Sequence, residues 1–349
     1  MSQLEGKMKR ILFLILFLVS CNTTSTKSVD IPNFDSNQAF TYLEKQCEFG
    51  PRNPGSAGHT DFSNYLKDFL SDLSGKLIIQ EFVYTEPITN IERDGKNFII
   101  QFNEEAEYRL LLGAHWDTRS FSDQDESVDN QSIPVLGAND GASGTAVLME
   151  LCNIFSVNNP KIGIDVIFFD AEDGGNPGQP NTFALGAKFF AENLPIIKPD
   201  FAIIVDMVGD KNLTIPIERI SYSIAPDKVK EIWDLADDLS LRAFKKTIAN
   251  EIYDDHVPLW EIAQIPAIDI IDFQYPNMFY NYWHTQLDTP ENCSPQSLGQ
   301  VGDLLVNVVA NFFASSNKLS CGTFLLIKPI DNASSASNLR PLKSKSKAR

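Results

Sequence analysis

Short apolar segments, each followed by polar residues and then by a helical pattern, recur along this chain and constrain its fold more than any other feature. Strands are predicted at residues 77–83, 97–102, 109–114, 164–169, 201–206 and 266–271. Helices are predicted at residues 141–156, 183–193, 227–240 and 294–314. Such alternation is typical of domains in which helices cover a sheet. We therefore predict a single α/β domain, with a central mixed, mostly parallel β-sheet flanked by helices on both faces.

Two further helices are predicted before the first strand. Phe40 and Leu43 fall on one side of the first helix, and apolar residues recur at helical spacing between residues 62 and 73 in the second. The segment between them, FGPRNPGSAGH at residues 49–59, is dense in turn-forming residues.

The N-terminus has the pattern of an export signal. Basic residues precede nine consecutive apolar residues, 11–19, which are too few to span a bilayer as a helix. The sequence Leu18-Val19-Ser20-Cys21 resembles a bacterial lipobox, in which the cysteine becomes the acylated N-terminus after cleavage. We predict a lipoprotein signal peptide at residues 1–21 and a polar tether at residues 22–33, with lipidation at Cys21. An ordinary cleaved signal peptide is the alternative.

These features predict where the protein is found. It would be an exported bacterial lipoprotein of the cell envelope, in the periplasm or at the outer membrane, with membrane contact through the lipid anchor alone. The globular domain would span residues 34–320, and residues 331–349, rich in Ser, Asn and Lys, would form a disordered basic tail. Acidic residues number 46 against 29 basic ones, a net charge of -17, which argues against nucleic acid as a partner.

Four cysteines lie beyond the predicted signal peptide, namely Cys47, Cys152, Cys293 and Cys321. Export permits disulfides, and four cysteines allow three pairings. Cys152 lies in an apolar helical segment, where a small buried hydrophobic role is favoured. The spacing alone assigns no bridge.

Acidic and histidine side chains come directly after three of the predicted strands. His115 follows the third, Glu172 and Asp173 follow the fourth within FFDAEDGG, and Asp206 ends the fifth. Sites in open α/β sheets form outside the carboxyl ends of the strands, so we expect these side chains to share one crevice. Carboxylates crowded there lose hydration and repel one another, which is costly without a cation.

Two loops add candidate ligands for that cation. Asp140 precedes a predicted helix, and His284 follows Trp283 late in the chain. Each has a simpler interpretation, since Asp140 could cap the helix and His284 could be a hydrogen-bonded surface group. Oxygen and imidazole ligands without any CxxC pair favour a catalytic zinc ion, which typically has three protein ligands and an open fourth position.

The motifs as a set resemble the M28 zinc peptidase superfamily, and more narrowly its bacterial glutaminyl cyclase branch. The resemblance covers about residues 40–313 and includes the turn-forming segment at residues 49–59. The matching motifs, in order, are His115-Trp116-Asp117-Thr118, residues 137–151, Asp170-Ala171-Glu172-Asp173, Asp206-Met207, Asp254-Asp255-His256 and Trp283-His284-Thr285.

The resemblance implies a metal site and a general acid and base. The zinc ligands would be Asp140, Asp173 and His284, and one ion is expected. Glu172 matches the residue that moves protons in the family. The fold of the family, a central mixed sheet flanked by helices, agrees with the predicted alternation.

The resemblance also implies residues that contact the substrate. Asp206 and Asp254 match a hydrogen-bonded acid pair close to the reacting amide. Trp283 would form a wall of the substrate pocket, with Phe279 or Tyr280 beside it. One departure concerns Phe183, which stands where bacterial relatives often have tryptophan, so the lining of the pocket would differ.

The implied function is that of a glutaminyl-peptide cyclotransferase, an acyltransferase. Such an enzyme converts the N-terminal glutamine of peptides or proteins to pyroglutamate and releases ammonia. The resemblance and the lack of a heptad pattern favour a monomer.

An aminopeptidase with two zinc ions, from the same superfamily, is the alternative function. His115 and Asp206 would then hold a second metal, bridged to the first by Asp140. Asp254 and the acid-rich loop at residues 123–129 favour the cyclase. A non-catalytic peptide-binding lipoprotein is disfavoured because the expected ligands and base are all present.

Overall fold

The computed structural model describes residues 32–320, with side chains described as far as residue 311. The predicted signal peptide at 1–21, with Cys21, lies outside the described residues, as do most of the tether and the predicted tail at 331–349. Within the described part of the chain, no helix has the length and apolar character needed to cross a membrane.

Ten strands form one large sheet and two small ones. In chain order they are β1 (Lys76–Thr85), β2 (Glu92–Phe102), β3 (Arg109–His115), β4 (Gly163–Phe169), β5 (Phe201–Asp206), β6 (Ile215–Ile217), β7 (Phe244–Ile248), β8 (Ala267–Ile271), β9 (Pro276–Asn277) and β10 (Tyr280–Asn281). The large sheet has the order β1-β2-β4-β3-β5-β8. β1, β2 and β4 pair antiparallel, whereas β4, β3, β5 and β8 run parallel to one another. The predicted mixed, mostly parallel sheet is confirmed.

Eight α-helices surround this sheet. In chain order they are α1 (Ser36–Glu48), α2 (Ala57–Ser71), α3 (Ala142–Val157), α4 (Leu185–Glu192), α5 (Arg219–Ile224), α6 (Pro226–Asp238), α7 (His256–Glu261) and α8 (Pro295–Ser320). Asp35 caps α1, because its side chain accepts hydrogen bonds from the backbone N–H groups of Asn37 and Gln38, both at 3.0 Å. Both helices predicted before the first strand are present.

The two faces of the sheet carry separate hydrophobic cores, since side chains alternate along each strand. On one face, Leu110 and Leu112 pack with residues of α1, α2, α3, α6 and α8. On the other face, Leu111 packs with residues of α4 and α7. The parallel strands are therefore covered on both sides, which leaves their carboxyl edge as the place where polar groups can collect.

All six predicted strands and all four predicted helices are present. β2 begins at Glu92 instead of residue 97, and α8 continues to Ser320 instead of residue 314. The helices α5 and α7 were not predicted, because six residues are too few to show a helical period. The strands of the two small sheets were also missed, because segments of two to five residues are too short to show the alternation of apolar and polar residues that marks a strand.

Three of the cysteines are described, and all three are free thiols. Cys152 is buried in α3, as predicted for a small apolar residue. Cys321 lies outside the described residues.

A buried ion pair fixes the amino ends of the central parallel strands. The guanidinium of Arg109, the first residue of β3, binds both carboxylate oxygens of Asp165 in β4, at 2.9 Å and 2.7 Å. Both side chains are almost fully shielded from water. A second ion pair nearby, between Lys76 and Glu104, is largely exposed.

We predict that Arg109→Met lowers the free energy of unfolding by about 3–5 kcal/mol, because the Asp165 carboxylate stays buried without its cation. The matched control Lys76→Met, which removes an exposed pair, should cost no more than about 1 kcal/mol. Urea denaturation of both variants measures the difference. Equal losses in the two variants would contradict a structural role for the buried pair.

Candidate metal centre and substrate pocket

The predicted crevice exists at the carboxyl edge of the parallel strands. His115 is the last residue of β3, Asp206 is the last residue of β5, and the segment containing Glu172 and Asp173 follows β4. All four side chains are buried. Because these strands run parallel, the polar residues that follow them meet at one edge of the sheet, as the sequence analysis predicted.

Asp140, Asp173 and His284 form a compact group, which we call the metal group. One ligand atom from each lies within 4.8 Å of the others. His284 Nε2 is 2.9 Å from Asp173 Oδ1 and 3.5 Å from Asp140 Oδ2. Two carboxylates and one imidazole, gathered from three separate loops, are a donor set typical of zinc.

Asp140 does not cap α3. The cap position belongs to Gly141, whose backbone has a positive φ of 97°. A side chain at residue 141 would lie 2.5 Å from the carbonyl oxygen of Asp117, so only glycine fits. The backbone N–H of Asp140 instead donates to Asp288, and its carboxylate lies between the rings of His115 and His284.

An arginine and an aspartate orient two members of the metal group. Arg119 binds Asp123 through two hydrogen bonds, at 2.8 Å and 2.7 Å, and donates to the backbone oxygen of Asp173. Asp123 Oδ1 lies 3.2 Å from His284 Nδ1, so the ring presents Nε2 to the group. A carboxylate behind a ligating histidine is a common feature of zinc sites.

Sequence reasoning missed these supporting roles. Arg119 directly follows the motif His115-Trp116-Asp117-Thr118, and Asp123 begins the acid-rich loop at residues 123–129, but neither was predicted to support the metal group. Asp117 was missed as well, although it accepts hydrogen bonds from the backbone N–H groups of Glu172 and Asp173, at 3.0 Å and 3.2 Å. The neighbouring motifs could have suggested that Arg119, Asp123 and Asp117 lie near the site, but not which atoms they contact.

A second acidic group adjoins the metal group. His115 Nε2 lies 3.1 Å from Asp140 Oδ1 and 3.1 Å from Asp206 Oδ1. Burial by itself would lower the pKa of His115, but the carboxylates of Asp206, Asp117 and Asp140 raise it well above its usual value. His115 is therefore held between the carboxylates of two aspartates.

Glu172 and Asp254 complete the floor of the site. Burial raises the pKa of Glu172 well above its usual value, and the negative charges of Asp254 and Asp173 add to the effect. Burial and the Asp206 carboxylate raise the pKa of Asp254 to about 6. Asp254 also has Asp269 within 4.8 Å on its far side. Carboxyls with raised pKa values are suited to exchanging protons near neutral pH.

These residues line a pocket of about 550 Å³ that opens to solvent. Its floor carries the metal group with Glu172, Asp206 and Asp254. Trp283, Phe273 and Phe183 form apolar walls, and the Trp283 ring stacks on His284 with centroids 3.6 Å apart. A volume in this range holds a small organic ligand.

Two residues predicted beside the pocket wall lie elsewhere. Phe279 and Tyr280 are 83% and 66% exposed, on the hairpin of β9 and β10, which lies in the chain between the pocket-lining residues Gln274 and Trp283. The structure thus brings Trp283 into the wall but places Phe279 and Tyr280 outside it. Their position depends on the local hairpin geometry, which the motif alone does not determine.

The profile of peptidase family M28 matches residues 97–309. The chain is similar to glutaminyl-peptide cyclotransferase of Bos taurus, with 22% identity over 73% of this chain and 76% of the relative. Tannerella forsythia glutaminyl cyclase matches at a TM-score of 0.77 and 36% identity, over 80% of this chain and 99% of that chain. A Zn-dependent exopeptidase from Parabacteroides distasonis matches at a TM-score of 0.77 and 35% identity, with 80% and 99% coverage.

Proposed function

Because this chain belongs to peptidase family M28, we propose, from its pocket and its relatives, that it is a glutaminyl-peptide cyclotransferase. It converts the N-terminal glutamine of peptides or proteins to pyroglutamate and releases ammonia. The observation that carries the proposal is a buried acid, Glu172, beside a group of two aspartates and a histidine on the floor of an open pocket. The similarity to named glutaminyl cyclases supports the same reaction.

The metal group fits a zinc ion. Asp140 Oδ2 is buried and has no hydrogen-bond partner among the described residues, and His284 Nε2 faces it and Asp173. These three residues would hold the ion, and Arg119 with Asp123 would keep them in place. When bound, zinc supplies Lewis acidity towards the amide carbonyl of the substrate.

The two oxygens of Asp140 have different surroundings, and a single metal ion is enough to explain both. Its Oδ1 lies 3.1 Å from His115 Nε2, which a shared proton explains. Its Oδ2 is the atom left without a partner, and that atom faces His284. In this proposal, His115 donates a hydrogen bond to Oδ1 of Asp140, and a metal would bind Oδ2 on the His284 side.

The substrate brings both reacting groups into the pocket. The α-amino nitrogen of glutamine attacks its own γ-amide carbon, so the nucleophile and the electrophile are already linked. Glu172, as a carboxylate, accepts a proton from the attacking amine as the new N–C bond forms. It then returns that proton to the amide nitrogen, whose bond to carbon breaks, and ammonia leaves. A five-membered lactam remains.

Asp206 and Asp254 help to orient the reacting amide in this proposal. Both carboxyls line the pocket beside Glu172. They can accept hydrogen bonds from the amide and amine N–H groups and so hold the two ends of the glutamine together. Trp283 covers the substrate from the side and limits the access of water, which would otherwise compete with the amine.

Aminopeptidase activity is the second candidate, and one observation favours it. His115, Asp140 and Asp206 form another group whose ligand atoms lie within 4.8 Å. A second metal held there would share Asp140 with the first. Hydrolysis uses a water activated between two metals, whereas cyclisation needs no water.

We also propose that the protein is a monomer that is exported and anchored through a lipid on Cys21. The lipobox-like end of the apolar segment supports the anchor. One acyl chain gives only reversible membrane binding, so the complete lipoprotein modification would be needed for a stable anchor.

We predict one zinc ion per chain, measured by inductively coupled plasma mass spectrometry after dialysis. Asp173→Ala should lose the ion, because one of its three ligands is gone, and His115→Gln should keep it. Circular dichroism confirms that each variant is folded. Two ions in the unmodified protein, with one of them lost in His115→Gln, would favour the aminopeptidase.

Glu172→Gln should keep the zinc ion and the fold while turnover of a glutamine-initiated peptide falls by about two to four orders of magnitude. The amide has nearly the shape of the carboxylate but cannot accept the proton of the amine. Ammonia release and mass spectrometry of the peptide report turnover. The matched control Glu81→Gln, an exposed acid on β1 that does not line the pocket, should retain most activity.

The same assay with a leucine-initiated peptide separates the two functions. A cyclotransferase leaves that peptide intact, since it has no γ-amide. Release of free leucine would instead make the protein an aminopeptidase, and full activity in Glu172→Gln would exclude its role as base.

Cys21→Ser should abolish labelling of the full chain by radioactive palmitate in a bacterial host, because the acyl acceptor is gone. The variant should also move from the detergent-extracted fraction to the soluble fraction. Labelling that persists in the variant would contradict a lipid anchor at Cys21.

A further inference from the structure

Arg52 is a fully buried arginine that does not line the pocket. It lies between α1 and α2, in the turn-forming segment at residues 49–59, to which the proposed reaction gives no role. A buried guanidinium is costly unless its N–H groups find acceptors. The acceptors of Arg52 therefore show what this segment contributes to the site.

The side chain of Arg52 joins two loops of the site. Its Nε donates to the backbone oxygen of Trp116 at 3.0 Å, in the loop that follows β3. Its Nη1 and Nη2 donate to the backbone oxygens of Leu136 at 3.1 Å and Gly137 at 2.8 Å, in the loop that precedes α3. The backbone N–H of Arg52 also donates to Thr118 Oγ1 at 2.9 Å. One planar guanidinium thus fixes the two loops relative to each other.

Both loops lead directly to the metal group. Asp140 follows Gly137 by three residues. In the other loop, Asp117 accepts hydrogen bonds from the backbone N–H groups of Glu172 and Asp173. Arg52 is therefore connected through one loop to Asp140 and through the other to Asp173, which are two of the three members of the metal group.

Asp288 holds the loop of Asp140 by its N–H groups. Asp288 Oδ1 accepts from the backbone N–H of Asn139 at 2.7 Å, and Oδ2 accepts from that of Asp140 at 3.1 Å. Arg52 binds carbonyl groups of the same loop, so the loop cannot shift without losing hydrogen bonds on one side or the other. The position of the Asp140 carboxylate, with Oδ2 facing His284, depends on this backbone.

We propose that Arg52 is a positioning residue for the metal group. Together with Asp288, it holds the loop of Asp140 in the shape that binds the ion. This inference rests on the metal group of the proposed function and adds the residues that set its affinity for zinc. Arg52 acts through the backbone that carries Asp140, without lining the pocket.

A purely electrostatic role of Arg52 would have the opposite effect on zinc binding. Like charges repel, so loss of the guanidinium charge would strengthen zinc binding if charge alone mattered. Loss of a positioning contact weakens zinc binding instead, because the loop must then be ordered when the ion binds. The direction of the change therefore distinguishes the two roles.

The test measures the dissociation constant for zinc by competition with a chromophoric chelator, in the unmodified protein, Arg52→Met and Arg52→Lys. We expect Arg52→Met to bind zinc about ten- to hundredfold more weakly, as is typical when a group that supports a metal ligand is lost. Unchanged or tighter zinc binding in this variant would overturn the inference.

Arg52→Lys keeps the positive charge and decides the question if Arg52→Met does not fold. A single ammonium group lacks the planar fork of donors that reaches carbonyls of both loops, so zinc binding should weaken in this variant too. If Arg52→Met is unfolded and Arg52→Lys binds zinc as tightly as the unmodified protein, the inference fails.

Arg109→Met is the matched control, because Arg109 is also a buried arginine that donates to backbone oxygens, those of Asn103 and Glu104. It begins the seven-residue strand β3 and lies about 20 Å from His115 at the other end. We expect this control to lose stability and to keep the zinc affinity of the unmodified protein. Equal weakening of zinc binding in Arg52→Met and Arg109→Met would make the effect a general result of lost stability and would overturn the inference.

Turnover of a glutamine-initiated peptide separates the inference from the proposed function. Weaker zinc binding in Arg52→Met, in a protein that does not cyclise the peptide, would overturn the cyclotransferase and support the role of Arg52. Cyclisation with equal zinc affinity in all variants would overturn the role of Arg52 alone. An unmodified protein that binds no zinc would overturn both.

Discussion

Several carboxylates are buried together at the carboxyl edge of the parallel strands, and the loops of the site depend on the contacts that offset their negative charge. An unpaired buried carboxylate is costly, and crowding adds repulsion. Part of the charge is compensated within the chain: Asp117 accepts two backbone N–H groups, Arg119 lies beside Asp173, and His115 contacts Asp140. Asp140 Oδ2 is one of the buried carboxylate oxygens without a hydrogen-bond partner among the described residues, and it faces His284, where a divalent cation would offset its charge. The carboxylates that would take part in the proposed reaction therefore also hold the loops of the site together.

The neighbouring acids after β4 can have different roles because the backbone between strand and helix is sharply turned. Ala171 has a positive φ of 57°, an uncommon conformation for a residue with a side chain, and such residues often occur at functional sites. Asp173 then faces Arg119 and His284, whereas Glu172 lines the pocket. His284 itself has a φ of 56°. The local backbone therefore places Asp173 in the metal group and Glu172 beside it in the pocket, where the proposed reaction needs a group that transfers protons.

The sequence predicted the sheet from strong local signals, whereas the three members of the metal group were implied by the family resemblance. Apolar segments such as residues 164–169 mark strands that are buried on both faces, and acids directly after them must meet at one edge. The contacts of Arg119 and Asp123 were not predictable, since they depend on where two loops cross. The exposure of Phe279 was also unpredictable from apolar character, which favours burial. The backbone N–H groups of Phe279 and Tyr280 donate to Asn277 Oδ1 and so hold the hairpin in its shape.

The same fold supports cyclisation and hydrolysis, and Asp140 is the residue at which the two differ. It lies between His115 and His284, so either side can offer a ligand. Hydrolysis needs an external nucleophile, and a second metal next to Asp140 would generate it from water. Cyclisation has its nucleophile within the substrate, and the entropic gain of that linkage makes a second metal unnecessary. In the proposed site with one metal, the His115 ring lies between Asp140 and Asp206 and would keep both carboxylates oriented. Asp206 and Asp254 would then be available to contact the amide, which would favour ring closure over attack by water.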